Sequence, residues 1–238
     1  MDDNRDLWTE INRLKDMVAA QAAAMIPDGA VIGLGSGTTV RRFLVHLAQR
    51  LQRGEIHDIA GVPTSEITAR HARELGIPLT SLDEHSHLDL TVDGADEVDP
   101  HLNLIKGRGR ALVREKIVAL HSKQLIIIVD ETKLVPRLGQ GPLPVEVLPF
   151  GIGAHLRWLR SLGCEVDLMC DTNGEPVRTD NGHYLVLCHF AGGISQPGEL
   201  AQTLKLRPGI VDHGLFLGMV DQVLVGTREG VRTLQPPT

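Results

Sequence analysis

The segment Gln124–Val129 constrains the fold more than any other part of this sequence, because five of its six residues are Leu, Ile or Val. A strand that is buried on both faces has such a continuous apolar run, and strands of this kind occur in parallel sheets covered by helices. Ala30–Gly33 and Leu88–Val92 are shorter apolar segments, and each precedes a predicted helix. This alternation of strands and helices predicts an α/β fold with a doubly wound parallel sheet and right-handed crossovers.

A loop rich in glycine and hydroxyl side chains, Gly33–Thr39, follows the first of these strands. A strand, a glycine-rich turn and a helix together aim backbone N–H groups and the positive helix end at an anion. The loop lacks the lysine of the Walker motif and the last glycine of GxGxxG, which disfavours NTPases and dinucleotide enzymes. We therefore predict a binding site for one phosphate monoester, with a purely structural turn as the alternative.

The stretch Asp93–Lys116 places charged residues after Leu88–Val92, at the sheet edge where open α/β folds bind ligands. It contains four carboxylates, then Lys106, a Gly-Arg-Gly-Arg turn and a predicted helix that carries Glu115. These groups predict an acid–base site. The alternative is a solvated acidic loop before an ordinary salt-bridged helix. Lys133 follows Gln124–Val129 at the same edge and is a candidate phosphate contact.

The composition changes beyond Val135, where prolines and glycines crowd the next fourteen residues. The predicted elements after this point follow the order β-α-β-β-α-β, with Pro144–Leu148 as the first strand and Gly209–Val211 as the last. This order is the ferredoxin-like arrangement and predicts a second, smaller domain. Gln222–Val225 is predicted to return to the first sheet. The apolar segment Leu215–Leu217 is either core or a subunit contact.

Charge and cysteine content narrow the possible partners and location. A net charge of −6 argues against nucleic acid, which needs a basic face. Three cysteines without CxxC spacing suit a reducing cytoplasm. The amino terminus lacks the apolar region of a signal peptide, and no apolar run approaches about 20 residues. We therefore predict a cytoplasmic protein that binds neither nucleic acid nor a membrane.

Five sequence blocks together resemble the type A ribose-5-phosphate isomerases. The blocks are Gly33–Thr39, Asp93–Glu97, Lys106–Gly107 with Ala111–Leu112 and Arg114–Ile117, Asp130–Lys133, and Pro144–Val147. The resemblance implies an aldose–ketose isomerase of the pentose phosphate pathway. Such an enzyme interconverts D-ribose 5-phosphate and D-ribulose 5-phosphate through an enediolate, without metal or cofactor.

The resemblance also implies a domain organisation and an assembly. It implies a Rossmann-like catalytic domain formed by residues 1–135 and 212–238, and a ferredoxin-like lid and oligomerisation domain formed by residues 136–211. The implied assembly is a homodimer or a homotetramer.

The resemblance assigns roles to individual residues. Glu115 corresponds to the base that moves the proton between C2 and C1. Asp93, Asp96 and Lys106 correspond to the groups that open the sugar ring and handle the O1 and O2 protons. The implied substrate-binding positions are Lys15, Ser36, Gly37, Thr38, Thr39, Gly94, Ala95, Gly107, Arg108, Gly109 and Lys133.

Arg108 and Arg110 depart from the family pattern, in which the turn after the lysine is a run of glycines. Because arginine disfavours positive φ, we expect that at least one of these positions does not require it. We also hypothesise that the Arg108 side chain faces solvent.

Three other functions fit the sequence pattern less well than an isomerase does. A non-catalytic sugar-phosphate sensor would keep the phosphate loop without needing Asp93, Asp96 and Glu115 together. An amino-sugar phosphate deaminase lacks support from the Lys106 and Arg114–Ile117 blocks. A nucleotide-dependent oxidoreductase conflicts with the glycine loop.

Overall fold

The computed structural model describes residues 2–236, and it describes the side chains of residues 8–236. In chain order, its elements are α1 (Asp2–Ala24), β1 (Val31–Leu34), α2 (Thr38–Gln52), β2 (Ala60–Pro63), α3 (Glu66–Glu74), β3 (Leu90–Asp93), β4 (Glu97–Val98), β5 (Leu104–Ile105), α4 (Leu112–Leu120), β6 (Leu125–Asp130), a 3₁₀ helix (Glu131–Lys133), β7 (Leu143–Val147), α5 (Ile152–Arg160), β8 (Glu165–Leu168), β9 (Tyr184–His189), α6 (Pro197–Lys205), β10 (Ile210–His213), β11 (Leu215–Phe216), β12 (Gln222–Thr227) and β13 (Gly230–Leu234).

The backbone groups into two compact units over the part of the chain that is described. The first unit comprises residues 1–94, 117–133 and 219–238, and the second comprises residues 95–116 and 134–218. The domain bounds expected from the sequence stay a prediction, because a unit defined by contacts need not be a folding domain. No helix in the described residues is long and apolar enough to cross a membrane.

The first unit is built on a mostly parallel sheet with the strand order β13-β12-β6-β3-β1-β2. Each neighbouring pair from β12 to β2 is parallel, and only the edge strand β13 runs antiparallel to β12. Strand β6 lies inside the sheet and is buried at every position, as its apolar sequence predicts. The predicted doubly wound parallel sheet is thus confirmed.

The helices of the first unit pack on this sheet through aliphatic and aromatic side chains. Phe43 and Leu47 of α2 are fully buried in a core that also contains Val18 of α1 and Ile32 of β1. Helix α3 begins after Ser65, whose hydroxyl accepts a hydrogen bond from the Thr68 N–H at 3.1 Å. This cap satisfies a backbone donor that the first helical turn leaves unpaired.

The second unit contains an antiparallel sheet with the order β10-β7-β9-β8. Along the chain, helix α5 connects β7 to β8 and helix α6 connects β9 to β10. The sequence of elements from β7 to β10 is β-α-β-β-α-β, so the ferredoxin-like arrangement is confirmed. A smaller antiparallel sheet of the same unit has the order β11-β5-β4. Leu215 and Phe216 of β11 are buried, which makes this segment core in the described chain.

We expect Leu47→Ala to lower the free energy of unfolding by about 2–5 kcal/mol, because it leaves a cavity in a fully buried part of α2. Urea denaturation of both proteins measures the change. Val45→Ala on the same helix is the matched control, since Val45 is exposed and alanine favours helices. An equal loss in both variants would contradict the core described above.

Candidate active site

The expected site residues divide between the two units. The first unit contains Lys15, Ser36, Gly37, Thr38, Thr39, Asp93, Gly94 and Lys133, and the second contains Ala95, Asp96, Lys106, Gly107, Arg108, Gly109 and Glu115.

In the first unit, the loop between β1 and α2 is bound to the carboxylate at the end of β3. Asp93 is buried, and its Oδ1 accepts hydrogen bonds from the N–H groups of Ser36 at 3.0 Å and Gly94 at 2.7 Å. A Cβ on Gly35 would lie 2.6 Å from the Asp93 Cα, so only glycine permits this approach. The glycine loop therefore fixes the direction of the Asp93 carboxylate.

Hydroxyl groups from the β2–α3 connection and from the first turn of α3 hold the same loop. The Ser36 hydroxyl lies within hydrogen-bond distance of the hydroxyls of Thr64, Ser65 and Thr68, at 2.8 to 3.2 Å. Thr68 in turn donates to the Gly35 carbonyl at 2.8 Å. Sequence analysis missed this cluster, because its members are separated along the chain and Ser65 and Thr68 are typical residues of a helix start.

The beginning of α2 has the features of an anion site. Gly37 has a φ of 106° and precedes the first residue of the helix, Thr38. The Lys15 ammonium donates to the Thr38 hydroxyl at 3.2 Å. The positive end of the helix, unpaired backbone N–H groups and this ammonium together favour a phosphate group.

Lys133 belongs to the same electrostatic environment. Burial lowers the pKa of Lys15, the Asp130 carboxylate raises it, and the positive charges of Lys133 and Arg42 lower it further. Cations that destabilise one another in this way are stabilised by an added anion. The charge of Lys133 thus acts on Lys15, although the two lysines are far apart in the sequence.

In the second unit, Lys106 and Glu115 form a buried ion pair. The Lys106 Nζ lies 3.2 Å from the Glu115 Oε1, and the two side chains are 3% and 6% exposed. Lys106 directly follows β5, and Glu115 lies on the first turn of α4. A buried carboxylate next to an ammonium is a suitable pair for moving a proton and stabilising the charge that develops.

The turn between these two residues is held by Asp96. Its Oδ2 accepts a hydrogen bond from the Arg108 N–H at 3.0 Å. Gly107 has a φ of 106°, and a Cβ there would lie 2.7 Å from the Leu112 side chain. Both the conformation and the space therefore require glycine at position 107.

The hypothesis that the Arg108 side chain faces solvent is wrong. Its guanidinium donates to the Glu97 Oε1 at 2.8 Å, and its side chain is 33% exposed. Glu97 is buried and also accepts hydrogen bonds from the N–H groups of Gly139, Gln140 and Gly141. Burial has removed the water that would otherwise solvate the Glu97 carboxylate. The carboxylate therefore attracts a nearby cation strongly.

The two arginines of the turn differ in backbone conformation. Arg108 is not among the described residues with positive φ, whereas Arg110 has a φ of 70°. This agrees with the expectation that at least one of the two positions does not require a positive φ. The left-handed region costs a residue with a Cβ about 1–2 kcal/mol. Arg110 therefore carries backbone strain that glycine would not have.

Two polar clusters next to Glu115 in the sequence were missed. Arg114 donates to the Asn181 Oδ1 at 2.9 Å, and Asn181 donates to the Glu146 Oε1 at 3.0 Å. Glu146 is fully buried and also lies 2.8 Å from the His183 Nδ1. The signal for this cluster was the glutamate in the otherwise apolar strand Pro144–Leu148.

The second cluster surrounds Lys116. The Lys116 ammonium donates to the Asp212 Oδ1 at 2.8 Å and to the His213 carbonyl at 2.6 Å. Burial lowers the pKa of Lys116, and the Asp212 charge opposes this shift. Burial and the Lys116 charge lower the pKa of His213 to about 4, against the opposing effect of Asp212.

The fold and the two groups of residues define an α/β protein with a cationic, hydroxyl-rich helix start in one unit and a buried carboxylate–ammonium pair in the other. The family model described as ribose 5-phosphate isomerase A (phosphoriboisomerase A) matches residues 60–230. The chain belongs to this family, and the resemblance seen in its sequence is confirmed.

Similar proteins cover nearly the full length of the chain. Ribose-5-phosphate isomerase A of Chloroflexus aurantiacus is 49% identical over 225 residues, which is 94% of each chain. The corresponding protein of Roseiflexus castenholzii is 48% identical over 92% of this chain and 94% of its own. The solved ribose 5-phosphate isomerase of Plasmodium falciparum has a TM-score of 0.92 at 42% identity and covers 95% of this chain and 100% of its own. A D-ribose-5-phosphate isomerase solved in complex with phospho-erythronic acid has a TM-score of 0.92 at 43% identity and covers 94% of this chain and 99% of its own.

We expect the folded protein to lose stability as the pH falls from about 6.5 to about 4, in part through His213. In this range the unfolded chain binds a proton that the buried imidazole of the folded protein does not bind, so acid favours unfolding. The contribution is about 2–3 kcal/mol. In His213→Asn this part of the pH dependence should be absent, as measured by urea denaturation across the range. Exposed His101→Asn is the control, and identical curves for His213→Asn and wild type would contradict the prediction.

We expect Arg110→Gly to raise the free energy of unfolding by about 1 kcal/mol, because glycine adopts the positive φ of this position without strain. Arg110→Ala shortens the same side chain but keeps the Cβ, so it should give no such gain. Denaturation curves of the three proteins measure the difference. If alanine stabilises as much as glycine, backbone strain is not the cause.

Proposed function

We propose that this protein interconverts D-ribose 5-phosphate and D-ribulose 5-phosphate by proton transfer through an enediolate. The observation that carries the proposal is the buried pair formed by Lys106 and Glu115, with 3.2 Å between Nζ and Oε1. Membership of the ribose 5-phosphate isomerase A family supports the substrate and the reaction.

In this proposal Glu115 is the base that carries the proton between C2 and C1. A proton next to a carbonyl is weakly acidic, so its removal needs a positioned base and a stabilised oxygen. Lys106 holds Glu115 before the substrate binds and then donates to the enediolate oxygen, together with N–H groups of the turn Gly107–Gly109.

Asp93 and Asp96 open the sugar ring and exchange protons with O1 and O2 in this proposal. Both carboxylates have a defined orientation, because each accepts backbone N–H hydrogen bonds from a glycine-containing loop. Such pre-organisation avoids the cost of reorienting the group during the reaction. Gly94 and Ala95, which lie between them in the sequence, are proposed to contact the substrate through their backbone.

The phosphate binds at the start of α2 in this proposal, through Ser36, Gly37, Thr38 and Thr39 with Lys15 and Lys133 as cations. It is remote from the reacting carbons, so its binding energy can hold the sugar in place for proton transfer. One similar protein was solved with phospho-erythronic acid, which carries a phosphate and a carboxylate. A phosphate-bearing ligand of this class suits the loop at the start of α2. For Arg108 we propose a role through its N–H, which orients Asp96, since its guanidinium is paired with Glu97.

Assembly, location and domain roles complete the proposal. We propose a homodimer or homotetramer, supported by the exposed side chains of Phe150 and Leu206. We propose a cytoplasmic location, supported by the free thiols of the cysteines. Residues 136–211 are proposed to act as the lid and oligomerisation domain, and residues 1–135 with 212–238 as the catalytic domain.

We expect Glu115→Gln to lower kcat by about 10²- to 10⁴-fold while sugar phosphate still binds, because the amide keeps the shape but cannot accept the proton. Purified protein is assayed for conversion of ribose 5-phosphate to ribulose 5-phosphate with EDTA present. The matched control is Glu165→Gln, the same change at an exposed position of β8, which should retain wild-type activity.

Three outcomes would contradict this assignment. Full activity of Glu115→Gln would remove Glu115 as the base. Loss of wild-type activity in EDTA would show a metal requirement. A wild-type protein that binds ribose 5-phosphate without converting it would favour the sugar-phosphate sensor.

A further inference from the structure

The ring of Phe216 is shared by two buried lysines of the second unit. The Lys106 Nζ lies 5.6 Å from the ring centroid, and the Lys116 Nζ lies 4.9 Å from it. Both distances are within the range of about 6 Å in which an ammonium is attracted to an aromatic face. Phe216 itself is fully buried.

The backbone around Phe216 fixes its position next to Lys106. Strand β11 pairs antiparallel with β5, with Phe216 opposite Leu104 and Leu215 opposite Ile105. The Lys106 N–H donates to the Gly214 carbonyl at 2.9 Å, and a Cβ on Gly214 would lie 2.1 Å from the Lys106 carbonyl oxygen. The close approach at Gly214 therefore holds β11 against the segment that carries Lys106.

The two lysines carry charges that burial makes costly. Lys106 is 3% and Lys116 is 9% exposed, and each has a carboxylate partner, Glu115 for the first and Asp212 for the second. Lys205 and His213 are the further titratable groups near Lys116, and both contact Asp212. Removing an ammonium from water costs several kcal/mol, and one ion pair offsets this only in part.

An aromatic ring stabilises an ammonium in a way that a second carboxylate cannot. Its negative face attracts the cation but carries no net charge. A carboxylate beside Lys106 competes with the enediolate oxygen for the same ammonium, whereas the ring adds attraction without adding an anion. The ring offsets the burial of Lys106 and leaves the positive charge available to the substrate.

We propose that Phe216 is a positioning residue for the isomerisation, whose ring face holds the Lys106 ammonium beside Glu115 in the buried acid–base pair. This inference rests on the proposed function, since it assigns to Lys106 the developing charge on the enediolate. Phe216 acts through Lys106 and does not itself touch the reacting atoms.

The test replaces Phe216 by mono-, di- and trifluorophenylalanine in the full-length protein. Fluorine withdraws electrons from the ring face in steps while the shape of the ring changes little. We expect kcat to fall at each step, by about threefold to thirtyfold over the series. KM should change little, because the stabilised charge develops only in the transition state.

The matched control is the same fluorinated series at Phe43, which is fully buried in the apolar core of the first unit. Among the described residues, cations lie over the rings of Phe216, Tyr184 and Trp158 but not over that of Phe43. This series should leave kcat at the wild-type value. Thermal unfolding of every variant shows whether the fold is retained.

Four results would overturn the inference. They are a constant kcat across the Phe216 series, an equal fall in both series, a change confined to KM, and a falling melting temperature with unchanged kcat. The last result would mean that the ring serves only the buried Lys116. A wild-type protein without isomerase activity is a different result, since it refutes the proposed function before any variant is compared.

Discussion

The buried ion pair between Lys106 and Glu115 is the interaction on which the proposed chemistry depends. Each charge is costly in this environment, because burial removes the water that would otherwise solvate it. The surrounding structure is arranged to keep both in place. Asp96 holds the turn between them, and Gly107 permits its conformation. Phe216 then supplies attraction for the ammonium without adding a competing anion.

In the first unit, a close approach between two backbone segments keeps a carboxylate in place. Gly35 lies so near Asp93 that a side chain would collide with it, and the Ser36 N–H reaches the carboxylate as a result. A glycine-rich loop after the first strand of an α/β sheet commonly serves a dinucleotide. The geometry in this protein shows another use of the same residues, in which glycine orients a carboxylate and leaves the start of the helix open to an anion.

Much of the fold was predictable because it depends on local patterns. The apolar run in Gln124–Val129 identified the inner strand β6, and the order of elements identified the ferredoxin-like arrangement. The loop Gly33–Thr39 and the charged stretch Asp93–Lys116 were found because both follow predicted strands. What could not be predicted are pairings between distant positions, such as Arg114 with Asn181 or Phe216 with Lys106. They depend on side-chain directions that no periodicity encodes. For the same reason the sequence left Leu215–Leu217 open between core and subunit contact, and the structure buries Leu215 and Phe216 but Leu217 only in part.

The arginines at positions 108 and 110 show how a family pattern can change without altering the proposed chemistry. The Arg108 guanidinium turns back to Glu97, whose carboxylate already binds the backbone at Gly139–Gly141. That contact joins two loops of the second unit and leaves the Arg108 N–H to orient Asp96. The Arg110 side chain is exposed, and the positive φ of this residue strains the backbone. Both substitutions therefore act on the stability of the turn, and the groups assigned to proton transfer keep the geometry that the turn provides.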